Sequence, residues 1–190
     1  YSTLAYDAAS IIDYEEPALV RLADGRLVCT MRTHVNPSGD AKNMVVVVSE
    51  DDGFSWTPPK WTNIWGYPSE MIALQDGRYL MIYGYRRPPY GVRGCVSEDG
   101  VTWDAKNEFV IQEGGVPGKS AGERPGSSRM SPWSGKYGSG SIDWANPGVY
   151  QHIGYPSVVQ LPDGTILASY HEWSEDEFPL QYVRCTRFRL

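Results

Sequence analysis

Eight side chains suited to acid–base, nucleophilic or anion-binding chemistry stand at matched distances from three Asp-Gly pairs, at Asp24, Asp76 and Asp163. Glu16 lies eight residues before Asp24 and Arg32 seven after Gly25. Tyr67 lies nine before Asp76, with Arg86 and Arg87 nine and ten after Gly77; Tyr155 lies eight before Asp163, with His171 and Glu172 seven and eight after Gly164. Converging guanidiniums suit a carboxylate, because Arg presents a planar, permanently charged, bidentate fork. A Tyr beside a Glu offers a nucleophile: phenol is weak at its ordinary pKa of about 10, but a neighbouring carboxylate can take its proton as it attacks.

The elements that position these groups are three copies of one phrase. Glu16 to Gly25 (EPALVRLADG), Tyr67 to Gly77 (YPSEMIALQDG) and Tyr155 to Gly164 (YPSVVQLPDG) are each an apolar run ending in Asp-Gly, and each is followed by a second apolar run. That is the signature of a β-hairpin. In a hairpin, residues equally far before and after the turn share one end. All three Asp-Gly turns therefore lie on one face, and the eight residues gather on the other.

The first two units continue into a third strand (Met44–Val48 and Val92–Val96) and then a second turn signature, Ser49-Glu-Asp51-Asp-Gly53-Phe-Ser55-Trp56 and the shorter Ser97-Glu-Asp99-Gly100-Val-Thr102-Trp103. In these Asp-boxes the carboxylate accepts backbone N–H groups, Gly supplies a positive φ, and Trp packs back over the turn. Their expected role is structural. Three strands, an Asp-box and a closing strand at a period of about 50 residues predict four-stranded blades of a β-propeller. The blades are expected over 13–66, 67–112 and 149–190. The third turn follows the second by 87 residues rather than 52, and the excess maps to Gly-, Ser- and Pro-rich 113–148, read as a long insertion loop. No capped amphipathic stretch of helical length occurs, so the fold class is all-β.

Composition narrows the function. The 190 residues, 41% hydrophobic, suffice for a real core in one domain. A formal net charge of −6 argues against nucleic acid or an anionic membrane as principal partner, and no apolar run is long enough to span a bilayer. Cys29, Cys95 and Cys185 lie in strand-like segments without a CxxC or Cys/His cluster and are expected to be buried free thiols. His34, His152 and His171 are spaced like no metal site and are expected at the surface or rim. Neither a metal nor an organic cofactor is implied.

At these residues the chain resembles the sialidase (neuraminidase) superfamily, in particular bacterial BNR-repeat or Asp-box glycosyl hydrolases. Glu16 to Arg32 is similar to the fourth-blade hairpin of sialidases, in which a Glu and an Arg at this separation are the nucleophile's helper and the second member of an arginine triad. Arg87-Pro-Pro-Tyr-Gly-Val-Arg-Gly-Cys-Val-Ser-Glu-Asp-Gly resembles the fifth-blade region carrying the third arginine, and Gly154-Tyr155-Pro-Ser sits where sialidases place their catalytic tyrosine. The resemblance covers nearly everything outside 113–148 and corresponds to a C-terminal half of a six-bladed ring. It implies an exo-glycoside hydrolase acting on a carboxylated sugar, with Tyr155 as nucleophile, Glu16 as its base, and Arg32 and Arg87 as carboxylate ligands. Arg86 competes with Arg87, and Glu15 with Glu16. Tyr67, His171 and Glu172 are further rim residues. The segment departs from the sialidase pattern in having Tyr-Pro-Ser-Val around Tyr155, and the same Tyr-Pro-Ser recurs at Tyr67. The triad's first Arg and the Asp general acid belong to opening blades outside these residues.

Two readings of other classes stand beside this one. One is a non-catalytic carbohydrate-binding propeller, with Trp133, Tyr137, Trp144 and Tyr150 in or beside the insertion as stacking surfaces; the other is a propeller hydrolase or lyase for a different polysaccharide. In each case the partner is a glycan. Three blades do not close a ring. The N-terminal stretch 4–12 is expected to complete another blade, and a second copy or a preceding half is expected to close the propeller.

Overall fold

The computed structural model describes residues 1–36, 38–87, 89–113, 153–173 and 181–190. Trp133, Tyr137, Trp144, Tyr150, His152 and the insertion from 114 onward lie outside the described residues. The described chain is all-β apart from one 3-10 turn at Ala105–Asn107.

Three antiparallel sheets follow one another along the sequence. The first holds β1 (Ile12–Arg21), β2 (Leu27–Val35), β4 (Val45–Ser49) and β5 (Lys60–Trp61) in that spatial order, with the short β3 (Asp40–Ala41) paired to the end of β2. The second runs β6 (Ser69–Ala73), β7 (Tyr79–Tyr85), β8 (Gly91–Ser97) and β9 (Glu108–Glu113). The third runs β10 (Gly154–Gln160), β11 (Ile166–Trp173) and β12 (Gln181–Phe188). The expected four strands thus appear in the second sheet, five in the first, and three among the described residues of the third. Strands β1, β6 and β10 are the leading strands of their sheets and lie side by side, β6 between the other two.

The three Asp-Gly hairpins are near-superimposable in their bonding. Leu22, Leu74 and Leu161 donate to the carbonyls of Arg26, Arg78 and Thr165 at 2.8, 2.8 and 2.7 Å, and the turn glycines donate back to the same Leu carbonyls at 3.0, 3.1 and 2.9 Å. Each turn Asp also accepts from the N–H two residues on, as Asp24 does from Arg26 at 3.1 Å. Gly25 sits at φ 94°, a region that L side chains rarely adopt. This repeated turn sets the register of the hairpins.

Both Asp-boxes close as expected. Asp51 accepts from Ser55 N at 2.8 Å, Ser55 Oγ at 2.5 Å and Ser49 Oγ at 2.8 Å. The one-residue-shorter box keeps the same scheme, with Asp99 accepting from Val101 N, Thr102 N, Thr102 Oγ1 and Ser97 Oγ at 2.6–3.0 Å. The hydroxyl of Ser55 leads in holding Asp51 down at a pKa of about 2. At Asp99 burial pushes upward, yet the Thr102 and Val101 amides outweigh it and the group also falls to about 2. A depressed carboxylate contributes stability above its unfolded pKa and loses it as pH falls through the folded one. The urea midpoint is therefore expected to drop between about pH 4 and pH 2 and to level off below. In Asp51→Asn/Asp99→Asn it should be lower at neutral pH, with that drop flattened; chemical denaturation across this range checks both.

The core lies between sheets rather than within them, as propeller-like stacking requires. Val28 and Val46 of the first sheet, with Met44 and Ile64 from the segments flanking its strands, pack against Met71, Met81, Tyr83 and Cys95 of the second, joined by Trp103 from the second Asp-box. Leu80 and Ile82 meet Val158, Ile166 and Ala168 of the third sheet, with Phe109 and Phe188 edge-to-face at 5.8 Å. A fully buried side chain such as Leu80 or Ile82 contributes roughly 1.5–3 kcal/mol.

Two expectations change. From Leu4 to Ile11 the chain forms no strand; Leu4 and Ala5 cover Cys29, Met31, Val45 and Val47 on the outer face of the first sheet. The Ser2 hydroxyl is tied to Gly53 O, and Trp56 Nε1 donates to it at 3.3 Å. The segment bends because Asp7 caps its own turn, accepting from the N–H groups of Ala9, Ile11 and Ile12. Of the three free cysteines, Cys29 and Cys95 are buried, with thiols pushed up to about 12 by desolvation, but Cys185 is exposed on β12.

Candidate functional site

Two matching irregularities aim the central residues. The β1–β2 register slips by one residue between Glu15 and Ala18, and the β10–β11 register slips the same way between Gly154 and Ser157. Each extra residue precedes a proline, which cannot donate to the ladder, so the strand bulges there. The bulged residues are Glu16 at φ 51° and Tyr155 at φ 47°, both left-handed without being glycine. Such backbone costs of order 1–3 kcal/mol and persists only where the surroundings enforce it. The two bulges turn the side chains toward one another, and Tyr155 Oη donates to Glu16 Oε1 at 3.1 Å across 139 residues of sequence.

Arg32, 5% exposed, occupies the floor. Its Nη1 donates to the other Glu16 oxygen at 3.1 Å, and its Nε and Nη2 converge on His34 Nε2 at 3.1 and 2.8 Å. Accepting from a guanidinium makes His34 the neutral tautomer protonated on Nδ1, which faces Glu15 Oε2 at 3.5 Å. Burial, and next the charge of Arg32, lower the His34 pKa and keep it in that form. Glu15 stands 3.7 Å from Arg32 Nε, so Glu15 and Glu16 flank the same guanidinium, but only Glu16 reaches Tyr155. The Arg32 guanidinium lies 4.0 Å from the centroid of the Tyr67 ring. A planar cation on an aromatic face is held in orientation as well as in place.

Arg86 approaches from the second sheet. It is 5.2 Å from the Tyr67 ring and 5.4 Å from the Tyr155 ring, and its Nε donates to Ile153 O at 2.8 Å. Burial opposes its charge and lowers its pKa, an effect the surrounding rings and Glu16 partly offset. His171 stacks on Tyr155, centroids 5.3 Å apart and planes at 23°. Desolvation raises the Tyr155 pKa, and the Glu16 carboxylate raises it further. The phenol therefore keeps its proton until an event draws it to Glu16.

Of the residues expected from the sequence, the structure thus assembles Glu16, Arg32, Tyr67, Arg86, Tyr155 and His171. It places two elsewhere. Arg87, adjacent to Arg86, turns the other way, stacks on Trp65 at 4.4 Å and donates from Nε to Tyr85 Oη at 2.7 Å. Glu172, opposite in face to His171 along β11, is buried in an ion pair with Arg184, and burial raises its pKa. His34, expected at the surface or rim, instead orients Arg32. Its position two residues beyond Arg32, on the same face of β2, is the signal that would have pointed to it. Among the described residues no group of three His, Cys, Asp or Glu side chains is placed to hold a metal ion.

The arrangement has relatives. The BNR repeat-like domain family matches residues 9–168. A protein of unknown function from Dyadobacter fermentans superposes with a TM-score of 0.64 at 21% identity, covering 97% of this chain and 40% of its own. An endo-arabinase from Bacteroides thetaiotaomicron gives 0.59 at 14% identity over 96% of this chain and 59% of its own. A variant of the NanB sialidase from Streptococcus pneumoniae gives 0.53 at 16% identity, covering 92% and 23%. No curated protein matches the sequence. The chain spans 40% of the length of the Dyadobacter protein it resembles. Its fold is that of propeller glycoside hydrolases, and the chain belongs to the BNR repeat-like domain family.

Proposed function

We propose that the protein is an exo-acting glycoside hydrolase of sialidase type, in which Tyr155 attacks the anomeric carbon and Glu16 takes its proton. The observation that carries this reading is the Tyr155–Glu16 hydrogen bond, built by two strained bulges on separate sheets. A raised phenol pKa is compatible with it, because proton transfer to Glu16 accompanies attack rather than preceding it. Arg32 and Arg86 bind the sugar's carboxylate, Arg86 taking the role that sequence resemblance assigned to Arg87. His171, stacked on Tyr155, holds the phenol ring for attack in this reading. A general acid and a third arginine come from elements that close the ring beyond these three sheets.

A second reading is a hydrolase of a different, neutral polysaccharide, and one feature of the site favours it. Arg32 already spends Nε, one Nη1 and one Nη2 hydrogen on His34 and Glu16, which leaves fewer donors for a substrate carboxylate. The arabinose-processing relative has the same fold. Carboxyl reduction separates the two. If the site reads a carboxylate, Arg32→Ala and Arg86→Ala each weaken binding of sialic acid by about tenfold or more and leave binding of its carboxyl-reduced form unchanged. Equal losses for both sugars, measured by calorimetry, would assign the site to a neutral substrate.

A further inference from the structure

Arg86 and Arg87 are consecutive but diverge, one into the site above and one into a neighbouring cleft of about 620 Å³ between the first two sheets. The cleft is lined by Lys42, Asn43, Trp61, Trp65 and Arg87, together with apolar side chains of β1 and β2. That volume lies in the range of sites that enclose a sugar-sized ligand. Its chemistry is cationic and aromatic. Arg87 and Lys42 are exposed and make no ion pair among the described residues, and the Nη1 and Nη2 groups of Arg87 have no hydrogen-bond partner there. Asn43 donates to Thr62 O at 3.1 Å, and its amide oxygen has no partner among the described residues. Trp61 is half exposed, an unusual state for so large an apolar ring on a short edge strand.

The cleft and the Tyr155 site share one wall. Trp65 meets Tyr67 edge-on at 5.4 Å, and Tyr67 is the ring that carries Arg32 at 4.0 Å. The Tyr67 ring thus touches both Trp65 of the cleft and Arg32 of the site.

We infer that this cleft is a second saccharide subsite, which takes an anionic sugar unit of an oligosaccharide whose terminal unit occupies the Tyr155 site. Trp61 supplies the stacking face, Lys42 and the Arg87 guanidinium seated on Trp65 hold the anionic substituent, and Asn43 Oδ1 accepts from a hydroxyl. The inference rests on the carbohydrate reading of the Tyr155 site. It extends that reading from a single sugar to an acidic chain, whether the negative charge is a carboxylate or a sulfate ester.

The experiment is calorimetric titration of the chain with sialic acid, its di- and trisaccharides, the disaccharide carboxyl-reduced at its second unit, and a sialyl disaccharide whose second sugar carries a sulfate ester. The expected result is an acidic disaccharide bound at least about tenfold more tightly than either the monosaccharide or the reduced disaccharide. Arg87→Met, Lys42→Met and Trp61→Ala, all exposed positions that leave the core intact, each remove most of that gain and leave monosaccharide binding unchanged. The carboxylated and sulfated probes then show which anion is preferred. No gain with chain length in any acidic probe, or a gain that survives all three substitutions, overturns the subsite. Failure of the underlying reading looks different: Arg32→Ala leaves monosaccharide binding intact while Arg87→Met still abolishes the chain-length gain.

Discussion

Tyr155→Phe is expected to abolish glycoside turnover. If Tyr155 is the nucleophile, removing its oxygen leaves nothing to form the glycosyl intermediate, and kcat/KM on a fluorogenic sialoside falls by at least about 10³-fold. Glu16→Gln removes only the proton acceptor, and the loss should be of order 10²–10⁴-fold, the usual span for a positioned acid or base. Folding is not at issue in the first variant: the Tyr155 side chain is 53% exposed, and Phe retains the stack on His171. Sugar binding therefore survives in Tyr155→Phe while turnover disappears. Turnover equal to wild type in both variants would sink the nucleophile–base assignment. No turnover in any form of the protein, with binding retained, would instead favour a carbohydrate-binding propeller.

Gly84→Ala is expected to carry a large cost to stability. A Cβ at Gly84 would lie 2.9 Å from each of Gly154 Cα, Ile153 O and Tyr67 O, all main-chain atoms that cannot swing aside. Here β7 and β10 pass in direct contact, with the chain leading into β6 bonded to the same residue through Tyr67 N to Gly84 O at 2.9 Å. Overpacking of this kind costs about 2–3 kcal/mol, which in a chain of this length lowers Tm by roughly 4–12 °C. The displaced segments carry Tyr67, Ile153 and Tyr155, so ligand affinity at the site falls with the melting temperature. Differential scanning calorimetry with and without sugar measures both. An unchanged Tm would show that the second and third sheets are not held at this distance.

How much of this was legible beforehand differs between frame and site. The three Asp-Gly hairpins and both Asp-boxes were readable because each is closed by bonds within a few residues, as Asp51 is by Ser49 and Ser55. Even the shortened second box kept its geometry, since Asp99 gathers the same donors one position earlier. Counting from the turns brought Glu16, Arg32 and Tyr155 to one end for the same reason. The choice between Arg86 and Arg87 was not readable: both follow β7, and what divides them is Ile153 O on another sheet, which captures Arg86, against Trp65 and Tyr85, which hold Arg87. Nor could the burial of Glu172 be foreseen, because its partner Arg184 belongs to the adjacent strand.

Sequence alone determined the all-β class, the hairpin and Asp-box turns, and the end of the sheets at which chemistry gathers, because local turn chemistry and strand periodicity decide these without distant partners. Tertiary structure decided which carboxylate meets Tyr155, which arginine joins it, and that His34 orients Arg32. Those outcomes depend on one-residue bulges and on contacts between sheets tens of residues apart. The proline after Glu16 and after Tyr155 marks where a bulge can form, but only packing of β1, β6 and β10 side by side turns the two bulged side chains toward the same point.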